Sequence, residues 1–192
     1  MPQQTDAIRL ESLRMNAPVD HRINEIPRDP ARFGSIYRAY LNPVYRYILA
    51  RVSNHADAED LTSQVFMTAL EGLSRYKEQG SFAAWLFSIA RRKVADHFRT
   101  QSKIVPLDYH EDMPAPENDY LRQIVAKEEL NALTQQISRL PEEEQELLRL
   151  RFAAQLTFDE IATVLNRKTS AVKMAYYRLL NRLENQMEVN ND

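Results

Sequence analysis

TFDEIATVLNRKTSAVKMAYYRLLNRL, residues 157–183, is the stretch on which the fold turns. Thr157 and Glu160 have the spacing of a capping box, in which hydroxyl and carboxylate each satisfy a free backbone N–H at a helix start. A short helix therefore begins after Thr157 and ends at Leu165. Asn166 follows, a residue that tolerates left-handed backbone angles, and a second helix restarts near Thr169. Ile161, Ala162 and Leu165 are placed to pack on Val172, Tyr176 and Leu179, with small Ala162 letting the helices approach. That is a helix-turn-helix, which offers its second helix to the major groove. At about 100° per residue, Val172, Tyr176, Leu179, Leu180 and Leu183 share one side. Ser170, Ala171, Met174, Tyr177, Arg178 and Asn181 share the other, with Lys173 at the edge.

Charge sharpens this reading. Between Ile161 and Leu183 there is no acidic residue, yet Arg167, Lys168, Lys173, Arg178 and Arg182 all occur there, in a chain of net charge −2. Small residues at the start of the outer face let the backbone approach DNA, and the cations can meet phosphates or guanine edges. A solvated basic face on a structural hairpin would show the same pattern.

Working outward, residues 30–104 hold eleven basic and six acidic residues, whereas residues 105–125 hold one and five. Residues 126–192 hold nine and eleven, with Glu142, Glu143, Glu144 and Glu146 early and the cations late. Such separated signs suggest one partner that is nucleic acid and another that is not. Three glycines and the lack of alternating β-branched runs point to an almost wholly helical chain. The absence of cysteine excludes disulfides, thiolate metal sites and cysteine nucleophiles. No apolar run approaches the roughly 18 residues that span a bilayer, and MPQQTDAIRL has no signal-peptide segment. A cytoplasmic protein without membrane insertion is expected.

Residues 1–29 are expected to be a loosely ordered extension, with one short helix near Thr5–Met15. ARFGSIYRAYLNPVYRYILARV places Phe33, Ile36, Tyr40, Tyr47 and Ile48 near one helical face, which Pro43 is expected to kink or interrupt. NHADAEDLTSQVFMTALEGL follows, capped by Asn54 or Asp57, with Leu61, Val65, Phe66, Ala69, Leu70 and Leu73 apolar. Ser81 can cap a third helix, FAAWLFSIARRKVADHFRTQ, buried through Phe82, Trp85, Leu86, Ile89 and Ala90. VPLDYHEDMPAPENDY, residues 105–120, reads as an extended linker. A second helical unit starts near Val125, with Pro141 in the first turn of one helix. In the third helix, Arg91, Arg92, Lys93, Arg99 and Lys103 face a lone Asp96, and RYKEQG precedes it. Cations interleaved with aromatics suit unpaired nucleic acid, and equally the soluble end of a core helix.

Two helical domains with basic helices and an acidic linker resemble the extracytoplasmic-function group of the sigma-70 family of bacterial RNA polymerase sigma factors. DAEDLTSQVFMTAL and FAAWLFSIARRKVADHFR resemble the family's clamp-binding stretch and promoter-melting helix. LPEEEQELLRLRF and LTFDEIATVLNRKTSAVKMAYYRLLNRL resemble its helix pair and −35-reading helix-turn-helix. The resemblance implies an all-α fold of two small domains: a three-helix domain two at 30–104 and a four-helix domain four at 126–187. The extended linker would occupy 105–125, and 188–192 a tail. It further implies that Asp57, Glu59, Asp60 and Gln64 bind the β′ clamp helices of core RNA polymerase, with the β flap as a second contact. Tyr76 and Lys77 would receive a base flipped from the −10 element, and Arg91, Arg92, His97 and Arg99 would hold the opened strand or adjoining duplex. Flipping costs a few kcal/mol of stacking, which pocket and cations must offset. Arg167, Lys168, Ser170, Ala171, Lys173, Met174, Tyr177 and Arg178 would contact the −35 duplex. The linker would run toward the polymerase active-site channel. An anti-sigma factor is an implied partner; no cofactor, metal or small-molecule substrate is implied.

The chain departs from the family pattern at Ser63-Gln64, where Gln-Glu is frequent, and at Asn166, where glycine is usual. Lys168-Thr169 and Met174-Ala175-Tyr176 also differ, so promoter preference does not transfer from a relative. An enzyme has little support: His21, His55, His97 and His110 are scattered, and no glycine-rich phosphate loop occurs. A stand-alone helix-turn-helix regulator leaves 30–104 unassigned. A sigma-like decoy that binds an anti-sigma protein would have no need of the cations.

Overall fold

The computed structural model describes residues 33–76, 81–101 and 134–189, with side chains to residue 185. The N-terminal extension, Lys77, the linker and the start of the second unit near Val125 lie outside the described residues. Among the described residues there is no strand.

Three helices form the first unit: α1 (Phe33–Val52), α2 (His55–Gly72) and α3 (Phe82–Gln101), with a 3-10 turn at Leu73–Arg75 after α2. The helices pack on one another in all three pairings. Ile36, Tyr40, Val44, Tyr47 and Ile48 of α1 are buried against Leu61, Val65 and Phe66 of α2 and Leu86 and Phe87 of α3. Pro43, expected to kink or interrupt this helix, does not interrupt it: the helix is continuous from Phe33 to Val52. Pro43 lies on the buried face, where packing on both flanks offsets one missing backbone hydrogen bond. Asn54 rather than Asp57 caps α2, its side chain accepting from the Asp57 amide at 2.9 Å.

In the second unit residues 134–138 are helical, followed by α4 (Glu142–Leu148), a π turn (Arg149–Ala153), α5 (Phe158–Leu165) and α6 (Thr169–Val189). Pro141 stands one residue before its expected place, at the cap of α4 with φ −53° and ψ 143°. A proline's fixed φ suits either position, and the extended ψ decides for the cap. The capping box forms in both directions: the Thr157 amide donates to Glu160 Oε2 at 2.8 Å, and the Glu160 amide to Thr157 Oγ1 at 3.3 Å. Asn166 closes α5 at φ 52°, ψ 49°. Ile161, Ala162 and Val172 are buried between α5 and α6, whereas Leu179 belongs to a separate cluster with Leu148 and Leu183. Thr157→Ala is expected to cost about 1 kcal/mol, read as a lowered midpoint in urea unfolding of the full chain.

The two units share one core. Buried residues of α1, α2 and α3 are continuous with Leu147, Leu150, Leu156, Ile161 and Val164. The π turn packs on α1, and α5 packs on α3. Two carboxylates of the second unit, on Glu146 and Glu160, are buried in this assembly. Ser81 stands directly before α3, its carbonyl accepting from the Trp85 amide at 3.2 Å, and its hydroxyl donates to Glu160 Oε1 at 2.5 Å.

Candidate nucleic-acid interface

The outer face of α6 is built by the turn before it. With Asn166 left-handed, the chain reverses within three residues and Thr169 Oγ1 donates to Asp159 Oδ1 at 2.7 Å, tying the start of α6 to α5. Val172, Leu179 and Leu183 are then buried. Lys168, Ser170, Lys173, Met174, Tyr177 and Arg178 stand exposed, and Ala171 is half-buried. The periodicity thus divides α6 as expected. Arg167 is also exposed but lies 3.8 Å from Glu143 Oε2, and Arg182 pairs with Glu144.

Aromatic rings that the sequence reading passed over support this face. Phe158 lies between Tyr176 and Tyr177, at centroid distances of 5.2 and 6.2 Å. Lys173 Nζ sits 5.9 Å from the Phe158 ring and the Arg151 guanidinium 5.1 Å. Phe152, also on this cluster, touches Tyr176 and is exposed. Lys173 thus rises from a ring platform that limits where its stem can go. Phe152 and Phe158 lie outside the quoted wheel, so only their docking against α6 reveals them.

The residues expected at the −10 element are less uniformly placed. Tyr76 leans on Phe82 at 5.6 Å and Trp85 at 4.9 Å. Gly72 lets α2 end close to that nest: a β-carbon there would stand 3.2 Å from the Trp85 ring. Farther along α3, Arg91, Arg92, His97 and Arg99 are spread over about 12 Å of helix at 1.5 Å per residue. Arg92 and Arg99 are exposed, Arg99 pairing with Asp96 at 3.1 Å. His97 turns inward, its ring 3.7 Å from Asp57 Oδ2, with Nε2 buried and lacking a hydrogen bond. Arg91, half-exposed, lies 3.4 Å from the buried Glu146.

On α2, Glu59 and Asp60 are exposed, and Gln64 Nε2 donates to Asp60 Oδ2 at 2.8 Å. Asp57 is half-buried beside His97. Met67 and Leu70 stand in the open near them, 64% and 43% exposed. Leu70 was expected in the core; it lies on the outer side of α2, where no described element covers it. Among the described residues no helix is long and apolar enough to cross a membrane.

Comparison with known proteins agrees with the geometry. The family model for sigma-70 region 2 matches residues 36–104, and that for sigma-70 region 4 matches residues 130–183. The ECF RNA polymerase sigma factor BldN of Streptomyces coelicolor is 38% identical over 158 residues, 79% of this chain, which spans only 58% of that relative's length. The ECF RNA polymerase sigma factor ShbA of Streptomyces griseus is 35% identical over 161 residues, 76% of this chain and 82% of its own. Among solved structures, the sigma factor RpoE in complex with the anti-sigma factor NepR from Bartonella quintana superposes with TM-score 0.62 at 20% identity, covering 82% of this chain and 97% of that one. CnrH in complex with the cytosolic domain of CnrY gives TM-score 0.61 at 19% identity, covering 84% and 90%.

Proposed function

The chain belongs to the sigma-70 family, in its extracytoplasmic-function group, and we propose on that premise that it binds core RNA polymerase and directs promoter-specific transcription initiation. It is an initiation factor in this reading, not an enzyme, and it works in the cytoplasm. The observation that carries the proposal is the two-sided build of α6: Val172, Leu179 and Leu183 are buried while Lys173, Met174, Tyr177 and Arg178 are exposed behind a helix-turn-helix corner.

In this reading the units divide the work. The first, residues 30–104, binds the polymerase clamp through Glu59, Asp60 and Gln64, with Asp57 ordering the helix start. The exposed Met67 and Leu70 extend that surface with apolar area. Tyr76, at the end of the 3-10 turn, and α3 handle the −10 element: a flipped base stacks on Tyr76 and its ring nest, and Arg92 and Arg99 face phosphates. The second unit, residues 126–187, reads the −35 duplex with Lys168, Ser170, Lys173, Met174, Tyr177 and Arg178, and touches the β flap. The segment 105–125 links them, and an anti-sigma factor holds the protein inactive.

The test is multi-round transcription by core RNA polymerase on a pool of genomic DNA fragments, with and without the protein. Transcripts that appear only with it, starting downstream of two shared and regularly spaced motifs, are the expected result. No new transcripts and no binding to core would turn the assignment toward a decoy or stand-alone regulator.

A further inference from the structure

We infer that Met174 is the residue by which α6 selects a thymine, taking that base's 5-methyl group against its own side chain in the major groove. The inference rests on the reading of α6 as the −35 helix and adds to it a chemistry of recognition. Met174 is the sixth residue of α6, about one and a half turns from its start. That is within the part of a recognition helix that meets base edges. At about 100° per residue it stands roughly 160° from Val172 and 180° from Leu183, both of which are buried. It is 61% exposed, more than any other large apolar side chain of the second unit among the described residues. The Thr169 hydroxyl on Asp159 and the left-handed Asn166 pin the start of α6, so the fold sets the direction in which Met174 points. One exposed methionine is ordinary on a protein surface. One that stands opposite the buried face of a helix, between cations, is placed for contact.

The surroundings decide what this apolar end can meet. Ala171, Met174 and Tyr177 follow at three-residue intervals and make an uncharged strip, with Lys173 and Arg178 on its two sides. Lys173 Nζ lies 5.9 Å from the Phe158 ring. Arg178 Nε donates to the Met174 carbonyl at 3.4 Å, which lays its stem back along α6. Tyr177 holds its ring 5.5 Å from Tyr176 and 6.2 Å from Phe158. The cations are therefore placed for phosphates on either side, and the strip between them for base edges. Methionine has no donor for the guanine acceptors, and only a weak acceptor for the amino groups of adenine and cytosine. Polar edges covered by it would lose water without gaining a partner, at a cost. The thymine methyl is the one apolar group that the major groove offers, and a flexible, polarisable thioether can follow its surface. Met174 is also among the positions where the chain departs from the family pattern, so the preference belongs to this chain.

The test uses the full chain bound to core RNA polymerase, with a pool of short duplexes carrying a randomised central segment as probe. Core polymerase alone supplies the background. The wild-type complex is expected to enrich a motif with one T·A pair that Met174→Ser no longer demands, the other positions staying as they were. In the enriched duplex that thymine is then replaced by uracil, which lacks only the 5-methyl group. Wild-type affinity is expected to fall about fourfold, the worth of one buried methyl, while Met174→Ser binds the two duplexes within about 1.5-fold of each other. Met174→Leu, apolar and of similar volume, should restore the sensitivity to the methyl group, which a merely structural role for the side chain would not require. A motif without thymine, or one whose thymines all lose their methyls without effect on the wild type, overturns the inference. So does an equal loss in Met174→Ser, which would put the methyl against another residue. Failure of the sigma reading looks different: no motif is enriched over core alone, and the inference falls with it.

Discussion

Changing both Lys173 and Arg178 to glutamate is expected to lower promoter-directed initiation by about a hundredfold or more while leaving binding to core polymerase within about twofold. Each good contact to a base edge is worth about 1–3 kcal/mol, and reversal adds repulsion from the phosphates to the loss. Both side chains are exposed, so the fold should be spared; surface changes of this kind usually fall within about 0.5 kcal/mol. The proposed clamp contacts lie on α2, in the other unit. Runoff transcription and a core pull-down on one preparation check the pair of outcomes. Equal loss of both would contradict the division of labour between the units. Any remaining affinity for promoter DNA should also fall less steeply with salt, because fewer counterions are released.

Phe87→Ala is expected to be the most damaging single core change. Phe87 is fully buried, with its ring edge-on to Tyr47 at 5.6 Å, and Tyr47 in turn donates to Glu146. Truncating a buried phenylalanine costs about 3–5 kcal/mol, a large part of the roughly 5–15 kcal/mol that holds a domain folded. A fall in Tm of about 10 °C is expected. Differential scanning calorimetry of the full chain reads it; a change under about 2 °C would mean that the ring's site collapses at little cost.

Phe87 also shows where pattern reading stopped. A one-sided wheel assigns α3 a buried face through Phe82, Trp85, Leu86, Ile89 and Ala90. In the structure Phe82 and Leu86 are buried, and so are Ala83, Phe87, Ala90 and Val94, while Trp85 and Ile89 are only partly covered. The reason is that α3 is packed by α1 and α2 and again by α5 of the second unit. No period in the sequence announces a second neighbour. Leu70 errs in the opposite sense: it fits the apolar face by spacing yet stands open, with Met67 beside it.

The sequence by itself determined the helix-turn-helix and its two faces. The capping box, the left-handed Asn166 and the burial of Val172, Leu179 and Leu183 follow from residues within a few positions of one another, where propensity, capping and a fixed angle per residue act. Only the tertiary structure decided what the glutamates of α4 do. Glu142, Glu143, Glu144 and Glu146 read alike as the acidic start of a helix. Glu143 stays in solvent 3.8 Å from Arg167, Glu144 pairs with Arg182, and Glu146 is buried on Tyr47, a residue 99 positions away. A carboxylate's partner is set by which surfaces dock, and Coulomb attraction becomes strong only after docking has removed the water.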